Sequence, residues 1–572
     1  MDQTPPPPDP ARSQVAPDAS VTPPPEPAPQ ARRSRAGKAA AIAAAAAVGV
    51  VAIGGASAFV LMRGSGDQLL DNVPASSDMV ATVYLDPAAS QKMNLFRLAD
   101  RIPALGSREQ LTTQAESAID QILSEVGLEH DDLDWVGAQI AVTASFPDGA
   151  NEPAFAVLLD SDDEEEAART LATIREGDGS GDWQRIDHDG VEVWSATNDG
   201  AYAITDGMVV VSNQESMVTD VIDVTNGNGE AIADSEAFDQ ATEALPDGKL
   251  AMLYVNTSDL ASRLEDLGRL ALGPGLDPTA NQSLQDLEAL TGVAMSVSAG
   301  SNGLAMDVEV SLDPNKLSDS TRETLSEAPR ENELLSAVPG NALVVAAQQG
   351  PGAEAIDDSF ASAIEMLPPD IAQMLADARV TGEGGVLESL TGDIAIAATP
   401  GAEGRTPSGA FLFGTEDEAV LADAVEQLRG ELTGLAPTAE WQTEEYEGVQ
   451  VHTFVDLVND SPIQPSYAVI DGAGVVGLDR DVIRAVVDAQ DGDGIASSPA
   501  YIEAMKAVPA GNGTFYVDID GIADAIRAQL PPDLAGEFER SAGETMDNID
   551  SLVVGTEQSE DHVHVRVFVR IP

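Results

Sequence analysis

Few side chains in this sequence could do chemistry of their own. The chain has no cysteine, which removes disulfides, thiolate nucleophiles, Cys-ligated zinc and iron–sulfur clusters. Histidine occurs five times, at His130, His188, His452, His562 and His564. His562-Val563-His564 lies in an alternating stretch that would put both rings on one face of a strand, a spacing able to hold a metal ion. Arg566 and Arg570 share that face, while Val563, Val565, Val567 and Val569 take the other. A solvated face accounts for this pattern better than a metal site. Asp187-His188-Asp189 offers a His–Asp pair, but no Gly-x-Ser-x-Gly elbow supplies a nucleophile, and a turn explains it. The acidic loop Asp488 to Gly494 fails the EF-hand pattern, because Ala489 and Ala500 fall where the first and last ligands belong. Among 97 acidic residues no pair can be singled out for hydrolysis. No catalytic residue, cofactor or metal ligand is therefore assigned.

The elements that would position any site come in two copies. Tyr202 to Gly207 followed by Met208 to Val211 reads like Tyr467 to Gly472 followed by Ala473 to Gly477. Both stretches predict a hairpin across an Asp-Gly turn. Upstream, Ser161-Asp-Asp-Glu164 and Thr415-Glu-Asp-Glu418 each read as a capping box that starts a helix. Trp183 and Trp441 hold corresponding places and read as core anchors. Tight hairpins imply antiparallel pairing. The expected class is α+β: a single N-terminal transmembrane helix, then two similar tandem domains, each a mostly antiparallel sheet with helices packed on it.

The N-terminus sets the expected location. Residues 1–38 are Pro-rich and predict a disordered tail ending in the basic residues Arg32, Arg33, Arg35 and Lys38. Residues 39–62 carry no charge and exceed the ~20 residues that span a bilayer. The basic cluster orients such a span with the N-terminus cytoplasmic and the C-terminus extracytoplasmic, in a single-pass plasma-membrane protein. A cleaved signal peptide competes, because Ala56-Ser57-Ala58 resembles a cleavage site. The net charge of −68 opposes nucleic acid and anionic headgroups, and acid spread along the whole chain matches adaptation to high salt.

Val73-Pro74-Ala75, Val83-Tyr84-Leu85-Asp86-Pro87, Ile102-Pro103 and the stretch from Gly137 to Val142 resemble an actinobacterial membrane-anchored family, domain of unknown function 3352. Gly392-Asp393-Ile394-Ala395-Ile396 echoes the last of these in the second copy. The resemblance implies an envelope protein and brings no active-site residues. The expected division is 1–38 tail, 39–62 transmembrane helix, 63–72 tether, 73–314 first repeat, 315–337 connector and 338–572 second repeat. The leading functional expectation is a non-enzymatic protein whose duplicated acidic ectodomain binds an envelope protein partner or a ligand. The alternatives are a carrier or sensor of a lipid or small apolar molecule, and a carboxylate-dependent hydrolase.

Overall fold

A computed structural model describes residues 68–101, 135–146, 153–177, 183–196, 200–258, 286–350, 385–401, 407–435, 439–456 and 464–572. The first half supplies strands β1 (Met79–Tyr84), β2 (Val136–Ser145), β3 (Ala154–Ser161), β4 (Gln184–His188), β5 (Val191–Ala196), β6 (Gly200–Thr205), β7 (Met208–Ser212), β8 (Ala251–Asn256), β9 (Leu290–Gly300) and β10 (Gly303–Leu312). The second half supplies β11 (Val344–Gln348), β12 (Leu390–Thr399), β13 (Ser408–Thr415), β14 (Ala439–Tyr446), β15 (Val449–Asp456), β16 (Ser466–Ile470), β17 (Ala473–Gly477), β18 (Gly513–Asp518), β19 (Ser551–Gln558) and β20 (His562–Arg570). Val, Ala, Ile and Leu at alternate positions build these strands, as a pleated surface buried on one or both faces demands. Asp189-Gly190 and Asp206-Gly207 turn two hairpins with both residues at positive φ, the type I′ geometry that suits strand twist.

Pairing follows one order twice. In the first half neighbours run β4-β5-β6-β7-β3-β2-β1-β8-β9-β10. In the second they run β14-β15-β16-β17-β13-β12-β11-β18-β19-β20. All of these pairs are antiparallel. Each half has a register shift at the same place, before Ile140 in β2 and before Ile394 in β12.

The halves join where β10 pairs with β20, from Gly303 opposite Arg570 to Ser311 opposite His562. Register identifies equivalent positions across this seam. Val80, Tyr254, Ala294 and Glu309 lie side by side in the first half, as Val345, Tyr516, Val553 and Phe568 do in the second. Glu309 and Phe568 thus hold the same place, and so do Asp307 and Arg566 two residues earlier. Asp307 and Arg566 are also directly opposite one another, so a pseudo-twofold axis passes between them. The fully buried Asp307 carboxylate receives Arg566 Nε at 2.6 Å and meets His564 Nε2 at 2.9 Å. Ser296, Glu309 and Ser311 are buried beside it, each with a side-chain oxygen lacking a partner. Burial raises the Glu309 carboxyl above its ordinary range, against the opposing pull of His562 and His564.

Helices cover both faces. On one face lie α3 (Glu215–Thr225) and α4 (Glu236–Thr242), with α7 (Arg480–Asp488) and α8 (Pro499–Met505) as their counterparts. On the other lie α1 (Ala89–Arg101) and α2 (Glu164–Gly177), with α6 (Glu418–Leu435) matching α2. Between the halves, α5 (Asp319–Ser326) sits in the expected connector 315–337, and its Thr324 carbonyl accepts from Gln558 Nε2 at 3.1 Å.

Two expectations are corrected. The α+β class with separate domain sheets gives way to one antiparallel sheet of 20 strands, nearly all-sheet in character. Hairpin signals located the strands within each copy, but a pairing between β10 and β20 leaves no local signal. The N-terminal transmembrane helix and the single-pass plasma-membrane location are corrected as well. Among the described residues no helix is long and apolar enough to cross a membrane. The 18-residue α6 carries Asp423, Glu426 and Arg429 within it. The segment 39–62, the tail with Arg32, Arg33, Arg35 and Lys38, and residues 63–67 of the tether lie outside the described residues.

Replacing Asp307 by Asn should lower stability by about 3 kcal/mol, because Arg566 then loses its carboxylate partner in a buried seam. Urea denaturation of the full chain measures this; a change below about 0.5 kcal/mol would show that the pair does not hold the seam.

Candidate functional site

The residues nominated from sequence do not converge on one centre. His564 is committed to Asp307, while His562 Nδ1 lies 2.7 Å from Ser559 Oγ and 3.0 Å from Asp561. Their shared face is therefore the buried seam and not a solvated surface, and the two rings serve different carboxylates. His188 Nε2 pairs with Asp223 Oδ1 at 2.7 Å beside Asp189, on a half-exposed turn. The acidic loop forms a helix end, with Gly492 at φ 107°.

The arrangement that sequence reasoning missed lies beneath α2 and α6. Both helices start at the expected places, with a different cap from the expected one. Ser161 Oγ makes no hydrogen bond; Asp163 Oδ1 accepts the Glu166 amide at 3.0 Å. Likewise Asp417 Oδ1 accepts the amides of Ala419 and Val420. Glu164 and Glu418 instead accept the amides of Gly207 and Gly472 at 2.8 and 2.9 Å. Each helix is thereby latched to its hairpin, and that fixes where Arg175 and Arg429, at matching positions, reach.

In the first copy the space beneath the helix is full. Arg175 Nη1 donates to the Tyr202 hydroxyl at 2.8 Å, and its guanidinium lies 3.7 Å from the centre of the Trp194 ring. Trp135, fully buried, packs with Leu159, Leu171 and Val209.

In the second copy several of these residues change, and three of the changes remove much of the volume. Ser389 stands in the place of Trp135, each with its carbonyl bonded to the start of the helical turn that follows. Gly474, opposite Phe413, replaces Val209, opposite Leu159. His452, opposite Tyr467, replaces Trp194, opposite Tyr202. Leu421 in place of Ala167 and Phe413 in place of Leu159 return only part of the lost volume. A cleft of about 250 Å³ remains, lined by Phe413, Leu421, Val425, Trp441, Tyr467 and Val475, with Arg429 at its side.

The polar groups of this cleft are rearranged too. Arg429 pairs with Glu426, and its Nη1 lies 3.4 Å from His452 Nδ1. Thr443 Oγ1 lies 2.9 Å from the same nitrogen. A guanidinium can only donate, so Nδ1 accepts and the ring proton sits on Nε2. Burial first, and the Arg429 charge second, lower the His452 pKa, with Glu426 opposing. His452 stacks on Tyr467 at 4.7 Å, and Trp441 meets Tyr467 edge-on at 5.4 Å. The Tyr467 hydroxyl is buried, and its neighbouring acceptor, the Glu426 carboxylate, is outside good hydrogen-bond geometry. Burial, and then Glu426, push its phenol up to about 12, so it keeps its proton. The indole nitrogens of Trp183 and Trp441 are both unpaired, so it is the tyrosine that distinguishes the copies. Glu426 stands 3.8 Å from His452 Nε2, too far to orient the imidazole as a base. An apolar cleft holding an unsatisfied O–H donor can accept a molecule that brings an oxygen to it. The pattern behind this site was present in the repeat itself, as the positions where the two copies differ.

Comparison with known proteins adds a family and little else. Three crystal forms of TP0453 are found among solved structures. Form III is 12% identical and covers 46% of this chain and 88% of its own. Form IV, also 12% identical, covers 42% and 79%, and form I, 13% identical, covers 46% and 85%. Their TM-scores of 0.23 are too low to carry an argument. No curated protein matches the chain. The model of the family described as protein of unknown function (DUF3352) matches residues 42–571, and the chain belongs to that family.

Proposed function

We propose that this protein binds, without transforming, one small apolar molecule bearing a hydrogen-bond-accepting oxygen, in the cleft beneath α6, as a carrier or sensor. The observation that carries this reading is the Tyr467 hydroxyl, which makes no well-formed hydrogen bond in an apolar cleft although Glu426 is near, while its counterpart Tyr202 is bonded to Arg175. A buried donor without a partner costs roughly 1–3 kcal/mol, which a ligand oxygen would recover. The apolar lining adds roughly 25 cal/mol for each Å² of hydrocarbon removed from water. The first copy, with its space filled by Trp135 and Trp194, then serves as a structural partner.

Octanoate and methyl octanoate, titrated calorimetrically into the full chain, test this reading. At least one should bind at a single site, and Tyr467→Phe should weaken it about tenfold, the loss of one hydrogen bond. Absence of binding by both probes would refute the proposal.

The same hydroxyl predicts opposite stability effects in the two copies. Tyr467→Phe should stabilise the unliganded protein by about 1 kcal/mol, whereas Tyr202→Phe should destabilise it by about as much. Equal effects in urea denaturation would mean that both hydroxyls are satisfied alike.

The lowered pKa of His452 gives a pH signature. Its unfolded form, with the ordinary value near 6.5, binds the proton more readily than its folded form. Its contribution to stability is therefore full above about pH 6.5 and falls as pH drops toward the folded value. Relative to His452→Gln, the wild-type chain should lose more stability between pH 7.5 and 5.5; parallel curves would contradict a buried neutral imidazole.

A further inference from the structure

Beside the seam, on the face that carries α3 and α4, lies a cavity of about 850 Å³. Glu236 and Glu243 reach it from α4 and its C-terminal cap, Thr291 and Glu309 from β9 and β10, and Asp561 and His562 from the turn into β20. All of its lining residues are described ones, and none is a lysine or arginine. Asp313 at its margin has Lys316 at 4.0 Å, and Asp561 has His562 at 3.0 Å. Glu236, Glu243 and Glu309 pair with no lysine or arginine. Glu309 is 2% exposed, and its Oε2 has no hydrogen-bond partner. Thr291 Oγ1 is buried and unpaired as well. A carboxylate buried in this state is costly, and a cation brought to it offsets that cost.

In the second copy the equivalent place is closed from within. Phe568 holds the position of Glu309, and Gly303 that of His562. The Phe568 ring fills the space, since a Cβ on Gly303 would stand 2.5 Å from it. The repeat aligns Ser235, Phe238 and Pro246 with Ser498, Tyr501 and Pro509, so Lys506 stands in the place of Glu243. Lys506 pairs with Glu503 at 2.6 Å, and Arg570, in the place of Ser311, pairs with Asp550 at 3.3 Å. The second copy thus carries two cations of its own where the first carries none.

We infer that the cavity binds an alkyl chain bearing two or more ammonium groups, which supply the charges that Lys506 and Arg570 supply in the second copy. This site is separate from the α6 cleft, which lies on the other face of the sheet. Glu236 and Glu243 lie on one stripe of α4, and seven residues of helix set them ~10 Å apart, a span that one ammonium cannot serve. Nor do these groups close on a single metal ion: among the described residues only His188, Asp189 and Asp223 come near enough together for that. Ala237, Ala244, Leu312 and Pro314 give the methylenes an apolar wall. A free polyamine and a pair of lysine side chains from another protein present the same groups.

Calorimetric titration of the full chain with spermidine, a capped dilysine peptide and butylamine tests this, in about 0.15 M NaCl, where loose surface pairing is screened. Spermidine or the peptide should bind at one site, at least about tenfold tighter than butylamine, and the tighter of the two identifies the source of the ammonium groups. Glu309→Gln should weaken that binding at least about tenfold, the loss of one charged hydrogen bond. Glu243→Lys should weaken it as much, and because Glu243 is exposed this variant leaves the buried floor untouched. Glu445→Gln, at an exposed position on the edge strand β14, makes the same change of charge as Glu309→Gln and should have no effect. Binding that survives both Glu309→Gln and Glu243→Lys, butylamine binding as tight as spermidine, or no binding by either spermidine or the peptide overturns the inference.

Discussion

One buried ion pair governs the architecture. A residue on a twofold axis meets its own counterpart, so two copies of one chain would bring Asp to Asp or Arg to Arg at this seam. In a low-dielectric interior neither is tolerable. The duplicated chain places Asp307 on one strand and Arg566 on the other, and the axis becomes a salt bridge. Identical copies cannot do this, and the two unequal copies joined in this chain can. The bond matters all the more in a protein of net charge −68, where carboxylates repel one another and most of the surface works against compaction. His564 supports the same carboxylate, and the row Ser296, Glu309 and Ser311 continues a polar stripe along the seam.

Once the copies need not be equal, they are free to diverge elsewhere. The contrast beneath α2 and α6 has that character. Arg175 and Arg429 are kept, and so are the two tyrosines and the outer tryptophans. Three changes of size, at Trp135/Ser389, Val209/Gly474 and Trp194/His452, turn a filled core into a cleft. Gly474 permits this specifically, because a Cβ there would stand 2.4 Å from the Phe413 ring. The open copy keeps a donor unsatisfied, a cost that a protein carries more readily where the donor has a use.

How much of this was legible from sequence depends on the range of the interaction. Asp189-Gly190 and Asp206-Gly207 state their turns in two residues. Ser161 to Glu164 marked a helix start correctly, yet the cap fell to Asp163 and Glu164 went to the Gly207 amide, since several acceptors compete within one turn. The seam was opaque. Asp307 and Arg566 are 259 residues apart, and alternating polar residues on β10 and β20 look the same whether they face water or a buried pair. For the same reason His562 and His564 read as a solvated face. Tyr467 was visible as a mark of the repeat, but its missing partner follows from volumes lost at Ser389, far from it in the chain, and at Gly474, across the β16–β17 hairpin.

Joining the sheets at β10 and β20 also changes how many ragged borders the protein exposes. Two independent open sheets would present four outer strands with unpaired amides and carbonyls, each a template for a stranger's backbone. Among the described residues the fused sheet has two, β4 and β14. The latter reads Ala-Glu-Trp-Gln-Thr-Glu-Glu-Tyr, so glutamates guard it. The former carries Arg185 and Asp187. Duplication has thus made the fold a longer ribbon with proportionally less selvedge, and what selvedge remains is charged against fraying into its neighbours.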